Sequence, residues 1–207
     1  MITVIHRYWT GDAPLPCISA LGAQYAAPFG VIRDWTDETL PPDIKDAIDK
    51  VSDYVPEEQR ARHRGNVARL HLLRRFGGLW LDHDVILLSI PSQQAPWMAW
   101  AGSSLCSAIM CFDPDDLRLG KAISAIAPAE SSIDASGERM LSRLWGSAPE
   151  ITYHHLAYDR DGVRNPMARV WAIASCATSR APVCCCIWST WRLSTRGPTP
   201  CTTRGRS

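Results

Sequence analysis

The sequence predicts an α/β fold, a single domain over residues 1–164 followed by an irregular tail over 165–207, and three observations lead there. Short apolar or β-branched runs alternate with amphipathic stretches through the first part of the chain. At 207 residues there is enough chain for one domain with a proper core. An Asp-His-Asp sequence at 82–84 lies inside an otherwise apolar run, and paired Asp at a strand's carboxyl end is a usual place for an α/β site.

Taken in order, residues 2–5 form a β-branched run suited to a buried first strand, and His6, Arg7, Tyr8 and Trp9 follow where it would end. Residues 13–27, opened by proline and rich in alanine, predict a helix, and 29–35 a second strand. After a turn-rich stretch, residues 43–54 carry Ile44, Ile48 and Val51 on one helical face. Pro56-Glu57-Glu58 opens a long helix with acids at its positive end, while Arg74 and Arg75 stand at its negative end before Gly77 caps it. Arg60, Arg62, His63 and Arg64, in its first half, are expected on a solvated face, with a phosphate-binding patch as the alternative. Further strands are expected at 97–101 and 105–112. Asp113-Pro114-Asp115-Asp116 then makes a turn and helix start leading into 117–126. The small residues at 135–137 begin another helix, as an anion-favouring N-terminus or a plain cap. Residues 151–155 read as a last strand with His154 and His155 at its end, as ligand neighbours or ordinary histidines.

Residues 66–90 carry the chemistry. They read as an amphipathic helix, a Gly77-Gly78 stop and an apolar strand that delivers Asp82 and Asp84. A period-two strand throws residues i and i+2 to the same side, so both carboxylates leave together and His83 points away. Two such carboxylates repel, and they settle at neutral pH with a cation beside them. Hard oxygen donors with few protein ligands suit Mg²⁺ or Mn²⁺ carrying substrate phosphates. On a helical wheel Arg69 falls at the centre of the stripe made by Leu72, Leu73 and Phe76, where a guanidinium must find an anion or leave the interior. A bound ligand, the edge of the stripe or one of the two carboxylates would each satisfy it.

The stretch Arg69-Leu70-x-Leu72-Leu73-x-x-Phe76-Gly77-Gly78-Leu79-Trp80-Leu81-Asp82-His83-Asp84-Val85 resembles the core of the DXD-containing sugar-binding glycosyltransferases. These include fungal Golgi mannosyltransferases and bacterial capsular-polysaccharide enzymes, with a distant likeness to toxin glucosyltransferase domains. Residues 5–11, Ile-His-Arg-Tyr-Trp-Thr-Gly, are similar to the same family's first strand and nucleotide-facing loop. Two motifs in the right order are more specific than either alone. The resemblance implies a GT-A-like open sheet flanked by helices that binds a nucleotide sugar. It implies metal-dependent sugar transfer with retained configuration, to a saccharide or lipid-linked acceptor. Asp84 would bind Mn²⁺ or Mg²⁺ directly, Asp82 would hold the donor ribose and share the ion's shell, and Arg69 would orient the donor sugar. Ile5, Arg7 and Trp9 become candidate donor contacts, with Tyr8 and Trp9 alternatively core aromatics. Asn66 stands where the family usually has Asp, so a sugar contact there would be an uncharged hydrogen bond. Ser103, Ser104 or Ser107 would match a polar residue near the acceptor.

Charge divides the chain. Its first 161 residues hold all 21 acidic and 15 of the 22 basic side chains, a net −6, whereas the last 46 hold seven Arg and no acid, a net +7. Cys17, Cys106 and Cys111 are scattered as small hydrophobes, but Cys176, Cys184, Cys185, Cys186 and Cys201 crowd the tail without metal-site spacing. No segment reaches the roughly 18 apolar residues that span a bilayer, and no basic-then-apolar leader opens the chain. A reduced, cytoplasmic body with no nucleic-acid partner is expected. The tail lacks periodicity, and the C-terminal His- and Trp-containing segment of the resembled family is not found in it. The whole chain's 19 Arg against 3 Lys fit a GC-rich gene, and the tail reads as an out-of-frame translation of that segment.

Two other readings stay open. A haloacid-dehalogenase-like phosphohydrolase would use Asp82 as nucleophile and Asp84 as acid/base, with Asp115 and Asp116 as a metal pair. A non-catalytic remnant would bind nucleic acid or acidic surfaces through its basic tail.

Overall fold

The computed structural model describes residues 4–87, 90, 95–101, 104–126, 136–146, 151–155 and 171–173. All of them belong to one compact unit, Met1–Ala177. Its elements are β1 (Val4–Tyr8), α1 (Ile18–Ala26), a 3₁₀ turn (Ala27–Phe29), β2 (Val31–Trp35), α2 (Pro42–Ser52) and α3 (Glu57–Phe76). There follow β3 (Gly78–Leu81), β4 (Val85–Leu87), β5 (Trp97–Ala101), β6 (Ser104–Phe112), α4 (Leu117–Ala125), α5 (Glu138–Trp145), β7 (Thr152–His155) and β8 (Trp171–Ile173). Six strands make a central open sheet in the order β2-β1-β3-β6-β5-β7. β1 runs parallel to β2 and β3, β6 is antiparallel to β3 and β5, and β7 is parallel to β5. The expected α/β architecture is the one observed.

The period of two sorts the sheet's residues between two cores. Trp80, Met110, Phe112 and Met98 pack on the face covered by α3, α4 and α5. Ile5, Leu79, Leu81, Ile109, Cys111, Trp97 and Ala99 pack on the other face, with Ala26 of α1 and Val85 and Leu87 of β4. Both faces are covered, which is why the central strands read as continuous apolar runs rather than as alternating ones.

Several elements differ from expectation. β1 continues through Tyr8, because His6, Arg7 and Tyr8 are all buried and paired rather than beyond the strand. α1 starts only at Ile18, after Pro14 and Pro16. β3 ends at Leu81, and the backbone N–H of Val85 closes a turn onto the carbonyl of Asp82 (3.2 Å). The expected single run from 79 to 90 is therefore two strands in two sheets, since β4 pairs antiparallel with β8. Of the expected tail, only residues 171–173 are among those described. Ser103, Ala135 and the tail cysteines lie outside them, and Ser104, His154 and His155 are described in backbone alone.

The junction of α3 with β3 is built for glycine. Gly77 has φ +62° and ψ −163°, a region that residues with a Cβ scarcely enter. A Cβ there would stand 2.5 Å from Cδ of Pro114, and one on Gly78 (φ +91°) would stand 2.5 Å from the carbonyl of Val4. Beside this junction His6 is wholly buried between Trp35 and Phe76, with ring centroids 6.0 and 5.8 Å away. Its Nδ1 accepts from the Trp35 indole N–H (3.0 Å), so Nε2 carries the proton donated to the carbonyl of Gly77 (3.0 Å). Burial lowers its pKa to about 4, against the smaller opposing effect of the Gly77 bond.

Gly77→Ala should destabilise the fold by on the order of 2 kcal/mol or more, measured by urea unfolding. His6 gives a second expectation. The folded state binds fewer protons than the unfolded chain between pH 6.5 and about 4, so this residue's contribution is full above pH 6.5 and is lost as pH falls toward 4. The loss is at most on the order of 3 kcal/mol. Unfolding curves at pH 7.5 and pH 5 should show it, and His6→Gln should flatten the dependence.

Candidate functional site

The site lies where β1 and β3 end. Residue parity continues from the strand into the turn: Asp82 follows Trp80 onto the α3 face, and His83 follows Leu81 onto the α1 face. The Trp80 indole N–H donates to Asp82 Oδ1 (2.5 Å), and Arg69 of α3 brings Nη2 to 3.5 Å from the same oxygen. Arg69 also donates from Nη1 to the carbonyl of Ser107 on β6 (2.5 Å) and from Nε to that of Gly65 (3.3 Å), with its Cζ 5.2 Å from the Trp80 ring centroid. Of the three ways to satisfy this buried guanidinium, the structure therefore uses a carboxylate of the pair together with backbone oxygens.

Asp84 is half-buried, and no side chain among those described partners it. Burial raises its carboxyl pKa above the usual aspartate value, and the charge of Asp82 adds to this, with Arg69 opposing. Among the described residues no three His, Cys, Asp or Glu side chains gather as a metal site. What the turn offers is two hard oxygen donors, only one of them ion-paired among the described residues. That donor set fits a divalent ion of the Mg²⁺ or Mn²⁺ kind whose remaining positions go to water and phosphate oxygens.

On the opposite face His83 is buried, with Nδ1 2.7 Å from Ser19 Oγ and the Trp9 ring edge-on at 5.6 Å. Its Nε2 is buried without a hydrogen-bond partner among the described residues, and burial lowers the ring's pKa to about 4. Arg7 donates to both oxygens of Asp34 (2.6 and 3.0 Å) and to the carbonyl of Ser19 (2.8 Å). All three guanidinium nitrogens are engaged inside the protein, so Arg7 braces the first loop from beneath. Ile5 is wholly buried and paired with β2 and β3, so its side chain packs in the core beneath the site. Trp9 is part-exposed, and its indole N–H donates to the carbonyl of Ala13 (2.7 Å). Asn66 is buried near the start of α5, where its Nδ2 reaches Ser136 Oγ at 3.4 Å.

A second cluster went unread in the sequence. Arg64 is not on a solvated face: it pairs with Asp37 (2.6 Å) and with Asp49, and donates from Nε to Thr10 Oγ1 (3.3 Å). Tyr8 Oη and Thr10 Oγ1 also donate to Asp37, each at 2.5 Å. Burial acts to raise the pKa of Asp37, but its bonds from Thr10, Tyr8 and Arg64 outweigh this and hold it below the usual value. His63 is buried too, with Nδ1 3.0 Å from Ser52 Oγ, while Arg62 is exposed as expected. Glu138 joins the site from α5, accepting from the backbone N–H of Ser107 (3.3 Å). No local signal marks these residues, because their partners are distant in the chain.

The pair Asp115 and Asp116 stands elsewhere. Phe112, which precedes it, pairs with Gly78 at the start of β3, whereas Asp82 follows the end of that strand. Asp116 caps α4 and pairs with Arg118 (2.5 Å). The two acidic pairs are at opposite ends of the sheet, which removes the metal pair from the phosphohydrolase reading.

No protein-family model matches the chain, and no curated protein matches it. No helix among the described residues is long and apolar enough to cross a membrane. Among solved structures it is similar to the PaToxG glycosyltransferase, with a TM-score of 0.54 and 12% identity over 69% of this chain and 67% of that one. The central open sheet and its flanking helices thus share the fold of that structure.

Proposed function

We propose that this chain transfers a sugar from a nucleotide-sugar donor to a saccharide or lipid-linked acceptor, using a divalent ion held by Asp84 and Asp82. One observation carries the reading: a half-buried carboxylate with no partner side chain among the described residues stands beside a braced one at the carboxyl end of β3. The glycosyltransferase fold supports it. Asp84 is the direct ligand. Asp82, fixed by Trp80 and Arg69, holds the donor ribose and shares the ion. When bound, Mn²⁺ or Mg²⁺ would offset the negative charge that grows on the leaving nucleotide diphosphate.

The chain's own residues do the rest. Trp9 offers an aromatic face beside the turn for the base, and Asn66 offers an amide for sugar hydroxyls. Arg69 keeps N–H donors beyond those spent on Ser107 and Gly65, and these orient the donor sugar while the same side chain braces Asp82. In the transfer, the bond from the anomeric carbon to the diphosphate oxygen breaks as an acceptor hydroxyl oxygen forms the new one, and the hydroxyl's proton passes to the departing diphosphate oxygen.

A release assay across nucleotide sugars, with Mn²⁺ or with chelator, should give metal-dependent release of nucleotide diphosphate, and Asp84→Asn should lower it by about 100-fold or more. Release of phosphate from a generic aryl phosphate, without nucleotide sugar, would favour a phosphohydrolase instead. Stability gives an independent check. A carboxylate whose pKa is raised in the folded state costs stability as pH climbs above its unfolded value. In chelator at neutral pH, Asp84→Asn should therefore leave the melting temperature unchanged or raised, with the gap from wild type opening as pH rises from 3.8 through the raised folded-state pKa and holding above it. A lowered melting temperature would mean that the carboxylate is structural.

A further inference from the structure

The first loop and the turn at 82–84 leave neighbouring strands, and one helix grips both. Arg69 of α3 reaches Asp82. Five residues earlier, about one and a half turns and roughly 7.5 Å along the same helix, Arg64 reaches Asp37 and Thr10. Thr10 follows Trp9 directly, and Asp37 lies just beyond the end of β2. Asp37 gathers three donors: Tyr8 and Arg64 on Oδ1, Thr10 on Oδ2. The backbone N–H of Trp9 donates to the carbonyl of Trp35 (3.0 Å), which ties the same loop to the end of β2.

Fastening α3 to α2 would need only the pair between Arg64 and Asp49. The remaining bonds of Arg64 go to loops beyond the carboxyl ends of β1 and β2, where binding residues collect on an α/β sheet. Its side chain is only 12% exposed, so these bonds are shielded from water and from salt.

We propose that Arg64 is a positioning residue for the donor: through Asp37 and Thr10 it fixes the Trp9 loop at a set offset from Asp82, so that one rigid helix gauges the distance between base and diphosphate. This rests on the reading of Trp9 and Asp82 as donor contacts. Arg64 touches no substrate itself. Its effect on the donor must pass through Trp9, and that separates it from a residue that merely stabilises the fold.

The test is a calorimetric double-mutant cycle on the full chain, titrating UDP and GDP, each with Mn²⁺, into wild type, Arg64→Gln, Trp9→Ala and the double variant. Each single change should weaken binding about tenfold, and the double variant should be within about threefold of Trp9→Ala alone. Losses that multiply, or an Arg64→Gln protein that binds as wild type, overturn the proposal. If wild type binds neither nucleotide, the donor-site reading fails and this inference falls with it. Should Arg64→Gln fail to fold by circular dichroism, Thr10→Val cuts the same link while leaving Arg64 on both aspartates, and its cycle with Trp9→Ala is read in the same way.

Discussion

A guanidinium taken out of water must be answered by oxygen atoms, and the answer given to Arg69 organises this molecule. Its donors reach a carbonyl on β6, a carbonyl on its own helix and the carboxylate of Asp82 at the end of β3. Three elements are thereby fixed around one side chain. Removing it would take the guanidinium from beside the part-exposed Asp82 and leave the carbonyls of Ser107 and Gly65 without their donor. A lysine in its place would carry the charge but could not direct planar donors at two carbonyls and a carboxylate together.

Much of this was legible in the chain. Alternating apolar runs and helical stripes gave β1 to β3 and α2 to α4 with shifted ends, and a charged residue on the apolar face of α3 gave Arg69. What escaped was set by distance. Asp37 and Asp49 lie 27 and 15 residues from Arg64, so nothing near Arg64 distinguishes it from Arg62 beside it, which does face water. The same holds for β4, whose partner β8 comes from a stretch with no periodic pattern of its own. Cross-strand pairing needs two segments to meet, and composition within either one carries little of that information.

Parity explains how a single turn can serve two faces. Asp82 inherits the side of Trp80 and is held from α3, while His83 inherits the side of Leu81 and is held from α1. The acidic turn is therefore clamped from both layers at once. Ser19 does double duty in the second clamp, since its hydroxyl meets His83 and its carbonyl receives Arg7.

The strand order carries a consequence of its own. From β1 the chain passes through α1 on one face to reach β2. It returns through α2 and α3 on the other face to reach β3, on the far side of β1. The chain leaving β1 for α1 and the chain leaving β3 for β4 both turn to that first face, where α1 packs on β4. Trp9 follows the one strand and Asp82 the other, at the carboxyl ends of paired neighbours. Their nearness is set by strand pairing and not by the residues of the loops, so the loops after β1 and β3 are free to change chemistry while the sheet beneath them stays the same.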